Sequence, residues 1–191
     1  MKAKDEKTPL WTLPNRLSLI RILSIPLICV FISFGEEKFF LLSFFLFVVA
    51  GITDGLDGFF ARRLALKSKF GVYIDPIADK MLIVSCLMTL SYYKMVPLWL
   101  TITLALREFL ITGIRAFYAG EGITVYPVKS GKYKTAFQIL GISLILFNRS
   151  FKKPLFPLNH YFEPGIVALI LALILSIYSA VKYLSGVTKF T

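Results

Sequence analysis

The sequence predicts an all-α integral membrane protein: six transmembrane helices in one bundle, behind a short N-terminal interfacial segment. Three observations carry this. Of the 191 residues, 57% are hydrophobic, and the mean hydropathy is +0.72. The apolar residues fall in long runs, most of them long enough to cross a bilayer as a helix. Short polar stretches rich in Lys and Arg separate the runs, as they do where a chain turns at a membrane surface. No internal repeat, low-complexity tract or second domain interrupts the pattern, so residues 1–191 read as a single membrane domain.

Residues 1–16 form a polar lead with Lys2, Lys4 and Lys7, and no small-residue cleavage site marks a removable leader. Trp11 suits the aromatic belt at the membrane–water boundary. The first span covers about residues 17–34. Arg21 lies one turn inside it, where snorkelling to the interface is the expected arrangement, and Pro26 is expected to kink it. Gly35 to Lys38 is a tight polar turn before a second span over about 39–60. Gly51, Gly55 and Gly58 recur there at the spacing that admits a neighbouring backbone or a ligand. A basic loop, 62–70, leads to a third span over about 72–93. The fourth covers about 97–119 and contains Arg107, Glu108 and Arg115. A loop over 120–134 with Lys129, Lys132 and Lys134 precedes the short fifth span, about 135–147, and the sixth covers about 164–183.

Lys and Arg outnumber Asp and Glu by 22 to 11, for a net charge of +11. These basic residues stand at the ends of apolar runs rather than along one polar face, which excludes a nucleic-acid surface. It fits anionic lipid headgroups and phosphorylated substrates. Six spans put both termini on one side, together with the 62–70 and 129–134 basic stretches, and that richer face is expected to be cytoplasmic. Cys29 and Cys86 lie inside apolar runs and read as packing residues, so a cysteine-based metal site is not expected.

The chemistry concentrates between Asp54 and Asp79. Asp54 and Asp57 share a helical face at i,i+3, and Asp75 and Asp79 share one at i,i+4. Crowded carboxylates repel one another unless cations lie between them. Hard divalent ions with oxygen ligands, Mg²⁺ above all, are the natural occupants where substrate phosphates complete the coordination. Lone carboxylates sometimes serve helix packing, but four in register at membrane depth point to function.

The run D-x2-D-G-x2-A-R-x8-G-x3-D-x3-D, met here by Asp54, Asp57, Gly58, Ala61, Arg62, Gly71, Asp75 and Asp79, resembles the signature of the CDP-alcohol phosphatidyltransferase family. The likeness extends from Pro14-Asn15 to about Gln138. Within it, Arg107 to Arg115, Gly131-Lys132-Tyr133-Lys134-Thr135 and Pro14 to Arg21 are similar to stretches of the bacterial phosphatidylglycerophosphate synthases, with Ser18 where Thr is usual. The resemblance implies transfer of a phosphatidyl group from CDP-diacylglycerol to sn-glycerol 3-phosphate, with release of CMP, in the inner membrane of a bacterium. It implies two Mg²⁺ or Mn²⁺ ions on Asp54, Asp57, Asp75 and Asp79, with Asp79 also taking the proton of the attacking hydroxyl. Asn15, Thr53, Gly58, Ala61, Arg62 and Gly71 would meet CDP-diacylglycerol. Arg107, Arg115, Lys132 and Lys134 would meet the acceptor's phosphate, although each lysine alone is equally explained as positive-inside charge. Family members form homodimers.

Other readings compete. Another enzyme of the same family would use a cardiolipin, phosphatidylserine or phosphatidylinositol-phosphate type of reaction. A UbiA-type prenyltransferase also uses acidic pairs with Mg²⁺, but needs more spans and lacks the G-x2-A-R continuation. A cation transporter would spread its acids through the bilayer, whereas here they gather toward one face.

Overall fold

The computed structural model describes residues 13–64, 69–120, 130–156 and 162–187, with side-chain surroundings for 18–53, 77–114, 117–118, 133–156 and 162–181. Six α-helices follow in order: α1 Leu13–Phe34, α2 Glu37–Leu64, α3 Lys69–Tyr92, α4 Leu98–Gly120, α5 Ser130–Arg149 and α6 Pro164–Val187. The six expected helices are present, the N-terminal lead over 1–12 lies outside the described residues, and the helices overrun the apolar runs at their polar ends. Helix α2 continues through Arg62 and Arg63, and α3 starts at Lys69, so residues 65–68, outside the described residues, separate them. Helix α5 starts at Ser130, which places Lys132 and Lys134 on a helix rather than in the expected loop. Apolar content marks where a chain meets lipid, whereas backbone hydrogen bonding continues past that depth at no cost. Helix α1 runs unbroken through Pro26.

The exterior is far more apolar than that of a water-soluble bundle, and polar residues are buried among the core. Leu23, Phe45, Val49, Met88, Leu106, Phe109, Leu110, Ile174 and Val181 are exposed, whereas Ser18, Arg21, Ser43, Glu108, Lys134, Gln138, Asn148 and Glu163 are buried. So broad an apolar exterior is unfavourable against water and favourable against lipid chains. Among the described residues, Pro164–Val181 of α6 is long and apolar enough to cross a membrane, and Ser18–Phe34 of α1 is a shorter apolar helix.

The core joins α1, α2, α3, α5 and α6 through Ile28, Phe47, Cys86, Leu87, Ile142, Ile145 and Leu169, with Leu100 and Leu104 from α4. Both cysteines are free thiols packed in this core. Helix α1 lies against both α2 and α3, and α5 packs along α6. Turns close by backbone geometry. Gly35, at φ +70°, ends α1 with its N–H on Ile32 O at 3.2 Å. Lys94, at φ +56°, ends α3 in a Schellman arrangement, with Met95 N–H on Leu90 O at 2.8 Å and Lys94 N–H on Ser91 O at 3.0 Å.

Beyond α5, the Asn148 side chain pins the next segment. Its amide donates to Glu163 Oε1 at 3.0 Å and accepts from Phe156 N–H at 3.0 Å. The Arg149 guanidinium lies 3.8 Å from the same Glu163 carboxylate.

Among the described glycines, the closest backbone approach is α5 on α6, at Gly141 and Gly165. A Cβ on Gly51 would meet the Ile139 side chain at 3.5 Å, an ordinary contact, and the side-chain positions of Gly55 and Gly58 lie outside the described residues. At Gly165, by contrast, a Cβ would lie 2.7 Å from the Gly141 carbonyl oxygen and 3.1 Å from the Ile145 amide nitrogen. Backbone atoms of a packed helix cannot step aside, so the two helices must part. Gly165→Ala is therefore expected to cost about 1–3 kcal/mol and to lower the melting temperature of the detergent-solubilised protein. Gly113→Ala, where nothing lies within 4 Å, should leave it unchanged or slightly raised.

Candidate active site

The acidic pairs lie on two consecutive helices. Asp54, Asp57, Gly58, Ala61 and Arg62 belong to α2, and Gly71, Asp75 and Asp79 to α3. Both helices are unbroken at these positions, so the i,i+3 and i,i+4 spacings place each pair on one helical face. Only residues 65–68 connect the helices, and α2 and α3 touch. So short a connection keeps the end of α2 close to the start of α3. Asp79 is half-buried. The side chains of Asn15, Asp54, Asp57, Gly58, Ala61, Arg62, Gly71 and Asp75 lie outside the described residues, as do those of Arg115 and Lys132. Among the described residues, no three His, Cys, Asp or Glu side chains could hold a metal.

One turn before Asp54, the backbone of α2 is tied down by side chains. Thr53 Oγ1 donates to Val49 O at 3.0 Å and Ala50 O at 2.9 Å. Arg21 Nε on α1 donates to the same Ala50 carbonyl at 3.2 Å. Arg21 is only 2% exposed, so it does not snorkel as the sequence reading expected. Its position explains why: Ser18, Arg21, Ile25, Ile28 and Ile32 form the buried stripe of α1 at helical spacing, and Arg21 points where that stripe points.

The second feature is a buried ionic cluster between α4, α5 and α6. Glu108 Oε1 accepts from Lys134 Nζ and from Arg107 at 3.4 Å. Arg107 Nε donates to Ser176 O on α6 at 3.0 Å. The side chains of Arg107, Glu108 and Lys134 are 9%, 10% and 11% exposed. Lys80, the residue after Asp79 on α3, is near enough to Lys134 for the two ammonium groups to repel. The structure thus brings together Arg107 and Lys134 of the expected acceptor residues and puts Arg115 and Lys132 on the same two helices, α4 and α5.

Two features here were not assigned from sequence. Glu108 received no role there, although Thr101, Leu104, Glu108 and Ile111 share the buried stripe of α4, which marks it as an inward carboxylate. Gln138, one turn beyond Lys134, is 1% exposed, and its amide nitrogen has no hydrogen-bond partner among the described residues.

The fold is thus a six-helix bundle in which α2 and α3 each carry an acidic pair and α4, α5 and α6 enclose a buried ionic cluster. The chain belongs to the CDP-alcohol phosphatidyltransferase family, whose sequence profile matches residues 11–180. It is 36% identical over 161 residues to a CDP-diacylglycerol–glycerol-3-phosphate 3-phosphatidyltransferase of Bacillus subtilis (strain 168), over 78% of this chain and 83% of that one. Relatives of the same name from Haemophilus influenzae, 30% identical over 91% of this chain and 92% of theirs, and Salmonella choleraesuis, 32% identical over 92% and 94%, match nearly end to end.

The Arg21–Ala50 bond gives a direct test. Arg21→Met should keep the bulk of the buried stem and lose a hydrogen bond from a charged donor, worth about 1.5–3 kcal/mol. A lowered melting temperature together with reduced turnover is the expected result. Unchanged values in both would place Arg21 outside the support of the α2 acidic pair.

Proposed function

We propose that this chain transfers the phosphatidyl group of CDP-diacylglycerol to sn-glycerol 3-phosphate, releasing CMP, in phosphatidylglycerol biosynthesis. The observation that carries the acceptor choice is the buried Arg107–Glu108–Lys134 cluster, with Lys80 near Lys134. Arg107 and Lys134 share a single carboxylate, so a neutral alcohol would add no anion to two buried cations. A phosphate-bearing acceptor gives them a partner, with arginine suited to two-point contact. The names of the curated relatives support the same substrates.

The family uses divalent metal ions, and the donor set here fits them, because paired carboxylates are the hard oxygen ligands that Mg²⁺ and Mn²⁺ take. Asp54, Asp57, Asp75 and Asp79 would hold two such ions, whose charge offsets the negative charge gathering on the pyrophosphate oxygens and on departing CMP. Asp79 accepts the proton of the acceptor hydroxyl as its oxygen bonds to the lipid-side phosphorus and the bond to CMP breaks. Gly58 leaves room for the nucleotide along α2. Arg62 contacts phosphate, and Asn15, Thr53, Ala61 and Gly71 line the CDP-diacylglycerol site. Arg107, Arg115, Lys132 and Lys134 receive the acceptor's phosphate.

All six helices span the inner membrane of a bacterium in this reading, as one domain over 1–191, with the site and both termini on the cytoplasmic side and a homodimer as the assembly. The apolar exterior supports the spans, and the basic residues at one end support the orientation.

Asp57→Asn should abolish CMP release from CDP-diacylglycerol while the protein stays folded and inserted, and chelation of divalent ions should stop the wild type reversibly. Substantial turnover in the variant at ordinary Mg²⁺ would overturn the metal assignment. The orientation is tested by single cysteines in a chain lacking Cys29 and Cys86. An impermeant thiol reagent applied to intact cells should label positions 38 and 152 and leave 67 and 132 unlabelled. The opposite pattern reverses the topology.

A further inference from the structure

Glu108 has no role in the chemistry described above, yet it is the anion that Arg107 and Lys134 share. Arg107 and Lys134 come from different helices, and their like charges would drive them apart across an apolar interior. One carboxylate oxygen, Glu108 Oε1, takes hydrogen bonds from both. Arg107 is fixed a second time, by its Nε on the Ser176 carbonyl. Lys80 adds a third cation on the α3 side. Arg107 and Lys134 are thus held on one carboxylate within a nearly closed interior.

We infer that Glu108 is the positioning residue of the acceptor pocket: it holds the Arg107 and Lys134 head groups in place for the phosphate of the incoming alcohol, without touching the substrate itself. This rests on the proposed acceptor, a phosphate-bearing alcohol. Preorganised cations lose little freedom on binding, so the benefit falls on acceptor affinity. The CDP-lipid site, on α2 and α3, gains nothing from the carboxylate. A merely structural Glu108 would weaken both substrates together or lower the melting temperature alone.

The test uses the full-length protein in mixed micelles, with CDP-diacylglycerol and glycerol 3-phosphate varied independently. Glu108→Gln should raise the KM for glycerol 3-phosphate about tenfold or more, the size expected when a hydrogen bond to a charged group is lost. The KM for CDP-diacylglycerol should stay within about twofold of wild type. Glu108→Asp, which keeps the charge, should recover part of the loss. Unchanged KM values, or an equal rise in both, overturn the inference. Should Glu108→Gln leave two buried cations too costly for folding, Glu108→Gln with Lys134→Gln removes both partners of the close pair and is compared with Lys134→Gln alone. A higher acceptor KM in the double variant supports positioning of Arg107 by Glu108, and equal values overturn it. The wild-type protein is assayed in parallel with glycerol, serine and inositol. Turnover of a neutral alcohol in place of glycerol 3-phosphate overturns the acceptor assignment and this inference together. With glycerol 3-phosphate turned over by the wild type, a failed Glu108 result overturns the inference alone.

Discussion

Charge inside an apolar bundle must have a partner, and the described helices are arranged around that requirement. Where lipid covers the outside, an ionised side chain turned inward has no water to fall back on, so its partner has to come from a neighbouring helix. Arg21 on α1 finds a carbonyl on α2. Arg107 and Lys134 share Glu108 and thereby join α4 to α5, and the Ser176 carbonyl brings in α6. Toward the other end of α5, Glu163 serves the side chains of Asn148 and Arg149. Each bond crosses between elements that apolar packing alone would let slide, because contacts between leucines fix no unique register. Polar contacts fix it.

That arrangement bears on the site through the helices it immobilises. Helix α1 lies against both α2 and α3, the two helices with the aspartates, and Arg21 ties it to α2 one turn before Asp54. On the other side, α5 packs along α6 with a backbone approach that Gly141 and Gly165 permit, and α5 also touches α2 and α3. The aspartate-bearing helices thus lie between a tied α1 and a tightly paired α5–α6 unit. Rigid elements on both sides hold reacting groups closer to a productive geometry than loops would.

Much of this was legible in the chain, and the exceptions have a common cause. The helices follow from apolar runs, and the acidic pairs follow from spacing, because both are properties of one segment at a time. The ends of α2 and α5 were misjudged because hydropathy reports lipid contact, and a helix such as Ser130–Arg149 continues through Lys132 and Lys134 into polar surroundings. Arg21 was misread because a lone arginine near a span end is ordinarily an interfacial residue. Its helical register with Ser18, Ile25, Ile28 and Ile32 pointed inward all along. Glu108 and the Gly141–Gly165 crossing were least legible, since each depends on which helix lies opposite. A repeat such as Gly51-x3-Gly55 is visible within one segment, whereas the Gly141–Gly165 approach joins two glycines on different helices.

The two halves of the proposed site carry opposite imbalances, and that contrast links stability to function. Around Glu108, Arg107 and Lys134 share one carboxylate, and Lys80 lies near enough to repel Lys134. On α2 and α3 the sequence supplies four aspartates. In the proposed reading, ligands complete both halves. An acceptor phosphate supplies what the first half lacks, and divalent ions with the pyrophosphate supply what the second lacks. Ligands that neutralise such groups bind the folded chain and not the unfolded one, so they also stabilise it. Glu108 marks the limit of the trade: it cancels enough charge to keep two cations together in an apolar interior, and too little to make a phosphate redundant.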